Sequence, residues 1–179
     1  MARLRTLVFS PLLLLISVVI NQPSYGSKHL NGRDLVEEVC RHTSSQGYCI
    51  DTMIPGPPLT AEGIASTALG WAQIRTLEAG TLISGLIKDS VSTDHPGHYH
   101  MRLQRCWDLN MKAMADLWSA SSSFYSKNIN AMVNYLITAS RDTKKCQDLI
   151  RGRNLPGLAA KNSDIIKLSE ICVVSTKFF

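Results

Sequence analysis

The chain has 179 residues, with 19 Lys or Arg against 14 Asp or Glu and a formal net charge of +5. That length suits one domain with a real core. The basic residues are scattered apart from Lys144-Lys145 and the Arg151/Arg153 pair, and no aromatic residues interleave them. The stacking platforms of a nucleic-acid binder are therefore missing, while weak attraction to an acidic polysaccharide or an acidic protein face stays open.

In chain order, Arg3 and Arg5 precede a 14-residue apolar run from Leu7 to Ile20, broken only by serines and Pro11. Small residues at Ser24 and Gly26 flank Tyr25, so residues 1–26 are expected to be a secretory signal peptide cut before Ser27. The run falls short of the roughly 20 apolar residues of a membrane anchor, and no later stretch approaches that length. Removing residues 1–26 deletes two arginines and no acids, which takes the formal charge from +5 to +3.

Residues 27–58 are expected to form an N-terminal helical hairpin extension, with one or two helical turns over Asp34 to Arg41. Pro55, Pro57 and Pro58 then break the chain. Beyond them, residues 59–179 are helical in pattern. Thr60-Ala61-Glu62-Gly63 opens a first long segment in which Ala65, Ala72, Ala79 and Leu86 recur every seven residues. Small residues on one seam permit close approach of a neighbouring helix. A second segment carries Leu103, Cys106, Asn110, Ala113, Leu117, Ala120 and Phe124, and a third carries Ile129, Met132, Leu136, Ala139, Thr143, Cys146 and Ile150. Gly152, Pro156 and Gly157 are expected to end the third. A short fourth follows over Ile165, Leu168, Cys172, Ser175 and Phe179. The fold class is all-α: an up-down four-helix bundle preceded by the hairpin, 27–179 together making one domain. Asn110, a polar residue on a core seam, is expected to hydrogen-bond across the bundle. Trp71, Trp107 and Trp118 are expected to pack in or against the core.

The five cysteines fall on this frame. Cys40 and Cys49 have eight residues between them and can staple a local hairpin. Cys106 near the start of one helix and Cys146 near the end of the next are neighbours in an antiparallel pair, the geometry a disulfide needs. Cys172 is left over on an inward seam, either a buried thiol acting as a small apolar residue or a group for intermolecular pairing. No C-x-x-C pair, G-x-S-x-G, H-E-x-x-H, phosphate loop or dinucleotide fingerprint occurs. The chain is therefore expected not to be an enzyme, and no cofactor is implied. Asp94-His95-Pro96-Gly97-His98-Tyr99-His100 places His95, His98 and His100 close together. They are weak metal candidates, read more simply as a hydrated loop that gains positive charge as pH falls.

With these residues in hand, the chain resembles the plant invertase/pectin methylesterase inhibitor family over essentially all of Ser27–Phe179. Cys40 with Tyr48-Cys49 matches that family's stapled hairpin. Leu103, Cys106, Leu109, Ala113 and Leu117 match its A-L-x-D-C-x-x-L-Y-x-x-A-x-x-x-L helix. Ser126-Lys127-Asn128-Ile129 resembles its S-K-D-Y helix entry, and Lys161-Asn162 with Leu168-Ser169 resembles its last helix. Three positions depart from the pattern: Arg105 stands where an acid is usual, Asn110 where a tyrosine is, and Lys145 where a threonine is.

The resemblance implies a secreted, monomeric inhibitor in the cell wall or apoplast, the vacuole being the alternative. Its expected partner is a pectin methylesterase, or else an acid invertase. The Pro-Lys-Phe often found in the invertase-directed branch is missing from Lys127–Ala131. The expected contact surface is the second and third bundle helices and their connection, with Arg105, Asp108, Lys112, Asp116, Lys127, Asn128 and Asn130. A module that binds a small apolar ligand or a cell-wall component is the alternative from another class.

Overall fold

The computed structural model describes residues 32–55, 60–92 and 98–179. The expected signal peptide, the boundary at 58/59 and His95 lie outside the described residues. The described residues fall within one compact unit.

Six α-helices and no strands are present among the described residues: α1 (Arg33–Arg41), α2 (Gln46–Met53), α3 (Ala61–Ser92), α4 (His98–Tyr125), α5 (Ile129–Leu149) and α6 (Pro156–Ser175), closed by a 3₁₀ turn at Thr176–Phe178. Helices α3 to α6 form the up-down bundle. Each packs on its sequence neighbour, and α6 returns to α3. The pairing is antiparallel throughout. Asn110 Nδ2 on α4 donates to Thr76 O on α3 at 3.2 Å, while Cys172 Sγ on α6 lies 3.3 Å from Ala65 O on α3.

The alanine seam explains this closeness. Ala65, Ala72 and Ala79 are each 0% exposed. At Gly80 an added Cβ would stand 2.9 Å from Asn110 Nδ2 and 3.6 Å from the Trp107 ring. A glycine there lets α4 approach near enough for Asn110 to reach backbone on α3 and lose little by being buried. The same closeness displaces the larger rings. Trp107 is half-buried against the core, but Trp71 and Trp118 are 41% and 57% exposed, contrary to the sequence expectation. A seam filled by alanine and glycine has no room for an indole between its helices, so the rings sit at its outer edge.

The fourth bundle helix is also longer than expected. Pro156 and Gly157 open it rather than ending the third segment. Proline suits a helix's first turn, where its missing N–H would have had no intrahelical partner. The turn before α6 is carried by Gly152 at φ 82°.

The hairpin of α1 and α2 is bridged by Cys40–Cys49 at a Cα–Cα distance of 5.4 Å. It is held to α6 by Glu170, which accepts from Ser44 N at 2.8 Å and Ser44 Oγ at 2.5 Å. Lys167 lies over the Tyr48 ring at 4.7 Å. Burial, then the Asp164 carboxylate, push the Tyr48 hydroxyl up to about 12. Cys106–Cys146 joins α4 to α5 at a Cα–Cα distance of 4.4 Å and lies in a core cluster with Ala79, Ile83, Leu103, Ile150, Leu158 and Ile165. Cys172 is buried and free, its thiol pushed upward by desolvation.

The second bridge closes 40 residues. On the loop-entropy model, replacing both Cys106 and Cys146 by alanine should lower stability by about 4 kcal/mol, against about 2.5 kcal/mol for the Cys40/Cys49 pair. Equilibrium denaturant unfolding of the two double variants measures both; a smaller loss at Cys106/Cys146 than at Cys40/Cys49 would contradict this ranking.

Candidate docking face of the second and third bundle helices

The turn between α4 and α5 is built by Ser126, Lys127 and Asn128, the last two of them expected contact residues. Lys127 N donates to Phe124 O at 3.0 Å and Asn128 N to Ser123 O at 2.9 Å, the paired bonds of a Schellman cap. Lys127 takes the left-handed position of that cap at φ 59°, where glycine is usual. Its ammonium reaches Glu62 on α3 at 2.7 Å and lies 5.8 Å from the Phe124 ring centre. Asn128 then caps α5, its side chain accepting from Ala131 N at 3.2 Å. One three-residue stretch thus ends one helix and starts the next.

Further along the face stands a group that sequence analysis missed. Asp142 on α5 is 1% exposed, with Lys112 Nζ of α4 at 2.8 Å and Lys145 Nζ of α5 at 3.0 Å. Burial opposes its charge, but the Lys112 ion pair at Oδ2 and the Lys145 hydrogen bond to Oδ1 outweigh burial and hold the carboxyl below the usual range. Lys112 is held above its ordinary value by the same contact. One turn from Lys112, the half-buried Asp116 shifts upward, opposite to Asp142. Desolvation raises it, Lys112 opposes and Asp142 adds to the rise. Its Oδ2 is buried without a hydrogen-bond partner.

The seven expected contact residues therefore divide. Lys112 and Asp116 belong to the ion cluster, while Lys127 and Asn128 build the turn. Arg105, Asp108 and Asn130 are exposed and make no side-chain hydrogen bond or ion pair among the described residues, so their side chains are available to a partner. The departure at Lys145 now has a purpose, because it supplies half of the counter-charge for Asp142. No pattern in α5 marks Asp142 as buried. The position is set by what α4 brings beside it, which periodicity within one helix does not encode. Of the histidines, His98 is exposed on the first turn of α4, and His100 is half-buried with Nδ1 2.9 Å from Ser90 Oγ. Among the described residues no three potential ligands converge on a metal site.

Residues 34–176 match the family model described as Plant invertase/pectin methylesterase inhibitor. Two crystal structures share the fold. A mutant form A of a pectin methylesterase inhibitor from Arabidopsis is 18% identical with a TM-score of 0.71, over 79% of this chain and 94% of that one. A pectin methylesterase inhibitor from Arabidopsis thaliana is 16% identical with a TM-score of 0.61, over 80% and 95%. Among curated proteins none matches significantly in sequence.

Two predictions follow from the face itself. Replacing both Lys112 and Lys145 by alanine leaves Asp142 buried without a counter-charge, which should cost about 3 kcal/mol at neutral pH. In the parent, the depressed Asp142 contributes stability above the ordinary carboxylate pKa of about 4 and loses it as pH falls through the folded value. In the double variant the carboxyl favours its neutral form, so stability should recover as pH falls from neutral toward 4; Asp116, deprived of Lys112, moves in the same direction. Urea midpoints across that range check the sign. Separately, Lys127→Gly removes left-handed strain of about 1 kcal/mol and gives up an exposed ion pair worth less. It should raise stability by about 0.5 kcal/mol in the same assay.

Proposed function

Because the chain belongs to the plant invertase/pectin methylesterase inhibitor family, we propose that it is a secreted inhibitor of pectin methylesterase that acts by covering the target's active cleft. The observation that carries this reading is the extent of the family match, which runs from the hairpin through the last bundle helix. Members of this family are inhibitors rather than enzymes, and the mechanism proposed asks no chemistry of this chain.

The geometry supports steric occlusion in a specific way. The α4–α5 face is clamped at one end by Cys106–Cys146, in its middle by Asp142 between two lysines, and at the other end by the capped turn. A surface fixed this firmly loses little conformational entropy on docking. Arg105 and Asp108 on α4 and Asn130 on α5 are the side chains left to meet a partner, with Lys127 and Asn128 presented by the turn between them. A carrier of small apolar ligands fits less well, since the larger surface groove is open and lined mostly by charged side chains.

The test is a titration of the oxidised protein against pectin methylesterase and acid invertase in parallel. Loss of pectin methylesterase activity at near-equal molar ratio is expected; loss of invertase activity alone would reassign the target, and loss of neither would remove the inhibitory reading. The triple variant Arg105→Glu, Asp108→Lys, Asn130→Arg should keep its unfolding midpoint and weaken inhibition by about tenfold or more, that is about 1.4 kcal/mol.

A further inference from the structure

The α4–α5 groove carries more positive charge than the fold uses. Arg102 and Arg105 lie one turn apart on α4, both exposed, and neither has an ion-pair partner among the described residues. With Lys145 and the half-buried Leu109 and Leu149 they line an open groove of about 590 Å³. The acid at its edge, Asp148, is already held by Arg151 at 2.5 Å. Lys145 and Lys112 share the single charge of Asp142 and keep 56% and 59% of their side chains exposed. From Arg102 to Lys112 this cationic strip runs about 15 Å along the helix.

What the groove lacks narrows the ligand. The nearby rings are committed elsewhere: Tyr99 is covered by Arg153 at 4.8 Å, and Trp107 faces the Gly80 side of α4. Without a stacking platform the strip does not suit nucleic acid. Of the exposed large apolar side chains of α4, Met111, Trp118 and Tyr125 recur every seven residues and so share a strip on the Trp107 side, while Met101 stands apart next to Arg102. None of the four lines the groove. The core of a protein interface is depleted in charge and enriched in aromatic residues, so this groove suits the polar rim of such an interface, where Arg105 stands, and not its centre. Asp108 lines a different groove, with Ser84, Gln104 and Trp107. The remaining fit is a polymer with anionic groups at short intervals and apolar ring faces between them.

We propose that the α4–α5 groove binds a carboxylated polysaccharide. Arg102 and Arg105 present guanidinium forks to successive carboxylates, and Leu109 and Leu149 form the floor beneath the sugar rings. Guanidinium matches the planar carboxylate with two parallel hydrogen bonds, which a point charge does not. The site goes beyond the inhibitory reading and does not depend on it. Arg105 is shared with the proposed target contacts, so polymer and target would compete for that side chain, while Arg102 serves the polymer alone.

The probe is polygalacturonate, titrated calorimetrically into the oxidised protein at low salt. Binding is expected, falling steeply as salt rises, and Arg102→Glu with Arg105→Glu should weaken it about tenfold or more. Arg102→Glu alone, outside the proposed target contacts, should weaken polymer binding and leave inhibition unchanged, so failure here is separable from failure of the inhibitor reading. Unchanged binding by the double variant, or equal binding of the fully methyl-esterified polymer, overturns the proposal. Tighter binding of dextran sulfate overturns the carboxylate assignment, and equal binding of poly-glutamate overturns the saccharide assignment in favour of an acidic polypeptide.

Discussion

A carboxylate at 1% exposure is tolerable only if something stands beside it, and Asp142 has two ammonium groups within 3.0 Å. Lys112 comes from α4 and Lys145 from α5, so the solvation of one acid ties two helices in one register. The disulfide fixes the same pair further along, and the Schellman cap at Lys127 fixes it at the turn. Any rotation of α4 against α5 would strip Lys112 from a charge that cannot reach water. Hydrophobic packing alone is less specific, because cores tolerate volume-conserving exchanges of apolar residues. Three unlike constraints, covalent, ionic and conformational, therefore hold one helix pair rigid, and the exposed face of that pair inherits the rigidity.

The opposite side of α4 is organised by the absence of side chain. Ala72, Ala79 and Gly80 let α3 approach, and Asn110 uses the gap to reach Thr76 O. Where a family pattern usually has a tyrosine, a shorter amide therefore sits buried and satisfied. Trp107 packs over Gly80 from outside the seam. Asn110 and Gly80 thus behave as one unit: the glycine makes room and the amide fills it with a hydrogen bond.

These differences mark where sequence carries structure and where it does not. The helix seams were legible because burial within one helix repeats at a fixed period, and the cysteines, placed on those seams, fell within bonding reach. Asn110 was legible for the same reason, since a polar residue on a seam has to find a partner. Pro156 was misread because proline ends some helices and begins others, and only the chain following Gly152 decides which. Trp71 and Trp118 were misread because a bulky apolar residue favours burial on average, while a small-residue seam leaves it no space. Asp142 was invisible because its partner Lys112 lies on another helix. The candidate face was legible as a region, but the split between residues that build it and residues it leaves free required coordinates.

That split bears on how a bundle of this kind can change partners without changing fold. Lys112, Asp116 and Asn128 cannot be altered freely, since each satisfies or perturbs a buried charge or a helix end, and Lys127 can give way only to a residue that suits its left-handed turn. Arg102, Arg105, Asp108 and Asn130 carry no such duty, and substitutions there alter surface charge at little cost to stability. The departures follow this division. Arg105, where the family pattern has an acid, reverses a charge on the free set and turns the neighbouring groove cationic. Lys145, where the pattern has threonine, joins the fixed set and reinforces Asp142. One departure resets what the face attracts while the other strengthens the frame that presents it. The charge this face presents is then set by a few exposed positions on helices whose geometry is determined elsewhere.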